Sequence, residues 1–161
     1  MGRVDLVAVV NSALELSETR LARDAVTVEW TPPAPVHVIG GEVRLGQVVL
    51  NLIGNAADAM AGLEERRITL SLRRDDGRVV LEVADTGPGI EEPEKIFEPF
   101  YTTKAVGAAE GMGLGLSISY GLVQSFGGAI RGRNRPGGGA VFTVELTPAS
   151  PEAPARSEAA G

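Results

Sequence analysis

A chain of 161 residues, 43% apolar and 22% charged, has the make-up of a globular domain with one sizeable core. Its formal charge of −6 and the lack of a basic patch argue against a domain that grips nucleic acid through phosphates, and the lack of cysteine excludes disulfides and thiolate metal sites. No apolar run reaches the ~18 residues of a membrane-spanning helix and no signal-peptide pattern follows Met1, so a soluble chain without membrane contact is expected.

In chain order, Leu6, Val7, Val10, Leu14 and Leu21 recur at helical spacing over residues 6–22, with Asp5 as N-cap. Residues 26–30 alternate as a half-buried strand that Pro32, Pro33 and Pro35 end, and residues 36–39 form a short second strand closed by Gly40-Gly41. Residues 42–60 carry a long helical pattern through Leu45, Val48, Val49, Leu52, Ile53 and Ala56, which makes this the main core helix. Ile68, Leu70 and Leu72 alternate with polar residues, and after Asp75-Asp76-Gly77 a second run continues over 78–84, which is a hairpin signal. Residues 85–113 are rich in glycine, proline and charge with one apolar cluster at 96–101; the part from 91 to 110 is expected to be mobile without a ligand. A helix over 114–126, capped by Gly127-Gly128, precedes strands at 129–133 and 140–146. From Pro148 the composition is nearly all Pro, Ala, Ser, Glu and Gly, so the expected division is an ordered domain over 1–147 and a disordered tail over 148–161. Short turns between strand pairs favour antiparallel neighbours, and the expected fold is an α/β two-layer sandwich: a mixed, mostly antiparallel sheet on about three helices.

Three stretches carry candidate chemistry. Asn51 and Asn55 are four apart on the core helix, so both amides leave one face, which Gln47 and Asp58 extend. They either cap neighbouring loops or, for Asn55, offer an oxygen to Mg²⁺ beside a nucleotide. Asp85-Thr86-Gly87-Pro88-Gly89-Ile90 ends the hairpin's second strand; it is either a plain turn or a carboxylate that accepts adenine's exocyclic amine, with glycines leaving room for the base. The run Gly111-Met112-Gly113-Leu114-Gly115-Leu116 breaks into a helix, which serves a tight turn or presents amides and a helix dipole to phosphate.

The ordered set LNLIGNAADAM, DTGPGI, IFEPFYTTK, GMGLGLSIS and GGGAVFTVEL resembles the catalytic ATP-binding domain of bacterial sensor histidine kinases. That domain belongs to the ATPase superfamily shared with gyrase, the MutL mismatch-repair proteins and a heat-shock chaperone. The resemblance covers residues 3–147, and DAM with FEPFYTTK is most similar to kinases of the nitrogen-regulation and C4-dicarboxylate-sensing type.

The resemblance implies ATP and Mg²⁺ as cofactors. It makes Asn55 the Mg²⁺ ligand, Asn51 its catalytic partner one turn earlier, and Asp85 the adenine-binding aspartate beside Gly87, Gly89 and Ile90. Asp58 joins the nucleotide-binding set. Phe97 and Phe100 match the aromatic box of an ATP lid, Lys104 is the catalytic lid cation that approaches the terminal phosphate, Thr103 joins the nucleotide-binding set, and Gly111, Met112, Gly113, Leu114, Gly115 and Leu116 match the second glycine box. Hydrolysing members of the superfamily carry a glutamate general base where this chain has Asn51; an amide takes no proton, which argues for phosphoryl transfer over the alternative, an autonomous ATPase. Ala140 stands where many relatives have Thr or Ser supporting the aspartate, which puts that contact in doubt. The only histidine, His37, sits in a strand pattern and reads as structural. The resemblance places the phosphoacceptor histidine on a separate dimerisation domain of the same parent kinase, with a response regulator downstream. The fragment alone is expected to be monomeric, cytoplasmic and unable to phosphorylate itself, its parent anchored in the inner membrane.

Overall fold

The computed structural model describes residues 2–32, 34–90 and 114–149. The chain opens with strand β1 (Gly2–Asp5), helix α1 (Leu6–Arg23), β2 (Thr27–Trp30), β3 (His37–Gly40) and helix α2 (Glu42–Ala59). The hairpin β4 (Arg67–Asp75) and β5 (Arg78–Asp85) follows, then helix α3 (Leu114–Ser125), β6 (Ala129–Asn134) and β7 (Ala140–Leu146). The main sheet runs β2-β4-β5-β7-β6, and the three helices cover one face of it. The expected two-layer sandwich is present. All its strand pairs are antiparallel except β2 with β4, which run parallel with Val28 opposite Ile68.

Local chemistry accounts for most boundaries. Asp5 caps α1 by accepting the N–H groups of Val7 at 3.0 Å and Ala8 at 3.3 Å. The β4–β5 hairpin closes on Asp76 and Gly77, both with positive φ, the backbone that a tight two-residue turn between twisted strands requires. Gly127 takes φ +74° at the end of α3, and the Gly128 N–H reaches back to the Val123 carbonyl at 3.0 Å.

The core lies between α2 and the sheet. Leu45, Val48, Val49, Leu52, Ile53 and Ala56 of α2 are all buried against Ile68, Leu70, Val79, Leu81, Val83, Phe142 and Val144. Such a stripe gains roughly 25 cal/mol per Å² of apolar surface removed from water and fixes α2 as the spine of the domain.

Two features depart from expectation. The strand at 37–40 leaves the main sheet and pairs with β1, a four-residue strand too short to announce itself in the pattern. Pro148 and Ala149, assigned to the tail by composition, are held on the other edge of that strand: Val38 bridges Pro148, Ile39 donates to the Thr147 carbonyl at 2.9 Å, and Ala149 donates to that of His37 at 2.8 Å. An open strand edge satisfies its backbone groups with whatever segment passes, whatever its composition. His37 itself sits in this small sheet, with Nδ1 buried and without a hydrogen-bond partner among the described residues.

Candidate functional site

Asp85 is the last residue of β5, where the sheet meets the C-terminal end of α2. It is 1% exposed, and its Oδ1 accepts the backbone N–H of Gly87 at 2.8 Å and that of Ala140 at 3.3 Å. Both bonds end on one oxygen, so Oδ2 is the acceptor left for a ligand. Burial pushes the carboxyl up from its ordinary range, against the pull of the Gly87 and Ala140 amides and the nearby Arg135 charge. Ala140, whose side chain offers no hydroxyl, supports Asp85 through its backbone N–H.

The turn after Asp85 is packed from both sides. A Cβ on Gly87 would lie 3.1 Å from Asp85 Oδ1 and 3.2 Å from the carbonyl oxygen of Ala59, which seats the turn against the end of α2. Thr86 Oγ1 accepts the Arg67 N–H at 3.1 Å and donates to the Glu65 carbonyl at 3.1 Å. On the far side, Asn134 clamps Ile90 through both backbone groups, accepting its N–H at 2.6 Å and donating to its carbonyl at 3.1 Å. Gly89, at φ +97°, has no room for a side chain beside Asn134. Arg135 Nη1 donates to the Asp85 carbonyl at 3.0 Å, and Gly139, at φ +93°, lies so close that a Cβ would fall 2.0 Å from that carbonyl oxygen.

Asn55 lies one turn before Ala59 on α2. It is half-buried, and among the described residues its side chain has no hydrogen-bond partner, although it is not sealed from solvent. Asn51, one turn earlier, is committed: its Nδ2 donates to the Gly115 carbonyl at 3.2 Å and to Ser119 Oγ at 3.1 Å, tying α2 to the first turns of α3. Asp58 accepts Arg20 Nη2 from α1. Among the described residues no group of three or more His, Cys, Asp or Glu could hold a metal. One open amide oxygen with no carboxylate cage fits a hard divalent cation that takes its other ligands from phosphate and water.

The structure thus brings Asp85, Gly87, Gly89 and Ile90 to one end of α2, with Asn55 and Asp58 along it and Asn51 and Gly115 beyond. Leu116 is half-buried and packs on the core; Leu114 begins α3. Phe97, Phe100, Thr103, Lys104, Gly111, Met112 and Gly113, together with the segment 91–110 expected to be mobile, lie outside the described residues. Thr86, Ser119, Asn134 and Arg135 were not foreseen. Only an asparagine and an arginine leading a glycine run hinted at the last two, because Asn134 meets Ile90 across 44 residues of chain.

A family model described as histidine kinase-, DNA gyrase B-, and HSP90-like ATPase matches residues 40–150. The two-component sensor PprA of Pseudomonas aeruginosa is 43% identical over 155 residues, covering 91% of this chain and 16% of that protein. The C4-dicarboxylate transport sensor protein DctB of Rhizobium meliloti is 37% identical over 149 residues, covering 90% of this chain and 23% of that protein. The chain therefore spans less than a quarter of either relative. Among solved structures, the mycobacterial sensor histidine kinase MprB superposes with a TM-score of 0.79 at 32% identity, covering 91% of this chain and 96% of that one.

Proposed function

Because the chain belongs to the histidine kinase-, DNA gyrase B-, and HSP90-like ATPase family, we propose that it binds ATP with Mg²⁺ between Asp85 and Asn55 and serves as the catalytic domain of a sensor histidine kinase. The observation that carries the reading is the pairing of a buried carboxylate, one oxygen fixed by two backbone amides, with an asparagine that has no side-chain partner among the described residues, one helical turn before the residue on which the turn after Asp85 packs. Asp85 Oδ2 accepts the exocyclic amine of adenine, and Gly87 and Gly89 leave space for the base. Asn55 holds the cation, which neutralises phosphate charge when bound.

The γ-phosphoryl group passes to an imidazole nitrogen of a histidine on a separate dimerisation domain of the parent protein: the nitrogen–phosphorus bond forms as the bond from phosphorus to ADP's oxygen breaks. A response regulator receives it next. His37 is not the acceptor, since it sits in the small sheet with β1, and that sheet is separate from the one that ends at Asp85. Asn51 supports transfer over hydrolysis: it offers no base to water, and its N–H groups are spent on α3. Among the described residues no helix is long and apolar enough to cross a membrane. We place the domain in the cytoplasm, as a monomer when isolated, with the parent anchored in the inner membrane.

The test is incubation of the domain with Mg²⁺ and γ-labelled ATP, with and without the histidine-bearing helical hairpin of its parent kinase. Label enters the hairpin only when the domain is present, and the domain does not label itself. Phosphate release from the domain alone well above background, lost in Asn55→Ala, would favour the autonomous ATPase instead.

A further inference from the structure

We propose that Arg20 of α1 is a positioning residue for the nucleotide site, holding Asp58 charge-compensated beside the amide of Asn55. The proposal rests on the reading of the Asp85–Asn55 cleft as an ATP site. Asn51, Asn55 and Asp58 fall within a narrow arc of α2, since a helix turns through about 100° per residue. Gly54 flanks that arc on the side of α1, and Arg20 lies across it. Its Nη1 is 3.7 Å from where a side chain on Gly54 would begin, its Nη2 donates to Asp58 Oδ1, and its Nε donates to Asp24 Oδ2 at 3.1 Å. The side chain of Asp58 is only 12% exposed and that of Arg20 30% exposed, so the pair is partly withdrawn from solvent.

The physical consequence concerns the sign of the field in the cleft. A bare carboxylate one turn from Asn55 would repel the polyanionic triphosphate, and the less water around it, the more. Arg20 cancels that charge from a neighbouring helix and keeps the carboxylate turned toward α1. The planar fork matters: one guanidinium reaches Asp24 and Asp58 at once, which a lysine's single ammonium does not do in the same geometry. The guanidinium lies beside Gly54, where a methyl group would meet it at an ordinary contact distance. A longer side chain there would displace it.

The experiment measures ATP binding by calorimetry to the wild-type domain and to Arg20→Met, Asp58→Asn and the double variant, each with Mg²⁺ and with EDTA. Arg20→Met is expected to weaken binding by roughly three- to tenfold, more for free ATP than for the Mg²⁺ complex, with the loss shrinking as salt is raised. The double variant is expected to bind within about twofold of Asp58→Asn, because once the carboxylate is gone Arg20 has nothing left to compensate. If Arg20→Met does not fold, Arg20→Gln, which keeps a donor toward Asp58 but no charge, reads the same quantity. Affinity unchanged in Arg20→Met, or weakened equally in the double variant relative to Asp58→Asn, overturns the proposal and leaves Arg20 a packing residue. Failure of the wild type itself to bind ATP overturns the site reading instead.

Discussion

Asp85→Asn separates the two jobs of that carboxylate, because the amide matches its shape but offers only one acceptor atom. The Gly87 and Ala140 N–H groups both end on Oδ1, so in the variant the amide oxygen must take that place. The NH₂ group then stands where Oδ2 stood and turns a donor toward adenine's own donor. Losing a hydrogen bond to a charged acceptor and leaving a buried donor unpaired together cost about 2–4 kcal/mol, on the order of a thirty- to thousandfold rise in Kd. Preference for ATP over GTP should narrow as well, since guanine presents an acceptor at that position. Stability should move the other way. Burial raises the folded-state pKa of Asp85 above its unfolded value. The folded state therefore binds that proton more tightly, and stability falls as pH rises through the folded pKa and stays lowered at neutral pH. Asp85→Asn keeps both backbone bonds without the buried charge, so it should melt at or above the wild-type temperature at neutral pH, the difference closing as pH falls toward the carboxylate range. Over the same acid range the wild type loses ATP affinity, because a proton on the carboxyl removes the acceptor. Titration calorimetry and thermal melts on both proteins decide it: an asparagine variant that binds ATP within about threefold of wild type refutes the assignment of Oδ2 to the base.

Asn51 and Asn55 should respond oppositely to alanine. Asn51→Ala removes two side-chain hydrogen bonds into α3 and should cost about 1–2 kcal/mol in urea unfolding, whereas Asn55→Ala should stay within about 0.5 kcal/mol of wild type and lose the Mg²⁺-dependent part of ATP affinity; the reverse pattern would exchange their roles. Gly139→Ala drives a Cβ into the Asp85 carbonyl at a positive φ and should lose about 2–4 kcal/mol of stability along with ATP binding. Gly62→Ala, at φ +83° with open space around it, should cost only about 1 kcal/mol of backbone strain and leave binding intact, and equal losses in the two would sink the argument from close approach.

Much of this domain is legible in its sequence. The α2 stripe from Leu45 to Ala56, the Asp5 cap, and the Asp76-Gly77 turn are local: each depends on residues within a few positions, and periodicity or backbone preference reports them directly. The same holds for the placement of Asp85 at a strand end and of Asn51 and Asn55 on one helix face.

Periodicity states which way a residue faces and never whom it meets. Only the tertiary structure decided that β2 runs parallel to β4, that β3 leaves the main sheet for β1, and that Pro148 and Ala149 are held on its free edge. It decided that Ala140 supports Asp85 through its backbone, that Asn134 clamps Ile90, and that Asn51 serves α3 while Asn55 has no side-chain partner among the described residues. The pairing of Arg20 with Asp58 spans 38 positions. Each of these contacts depends on register and packing between elements distant in the chain, which no local pattern encodes, and together they separate residues that shape the site from residues left free to bind.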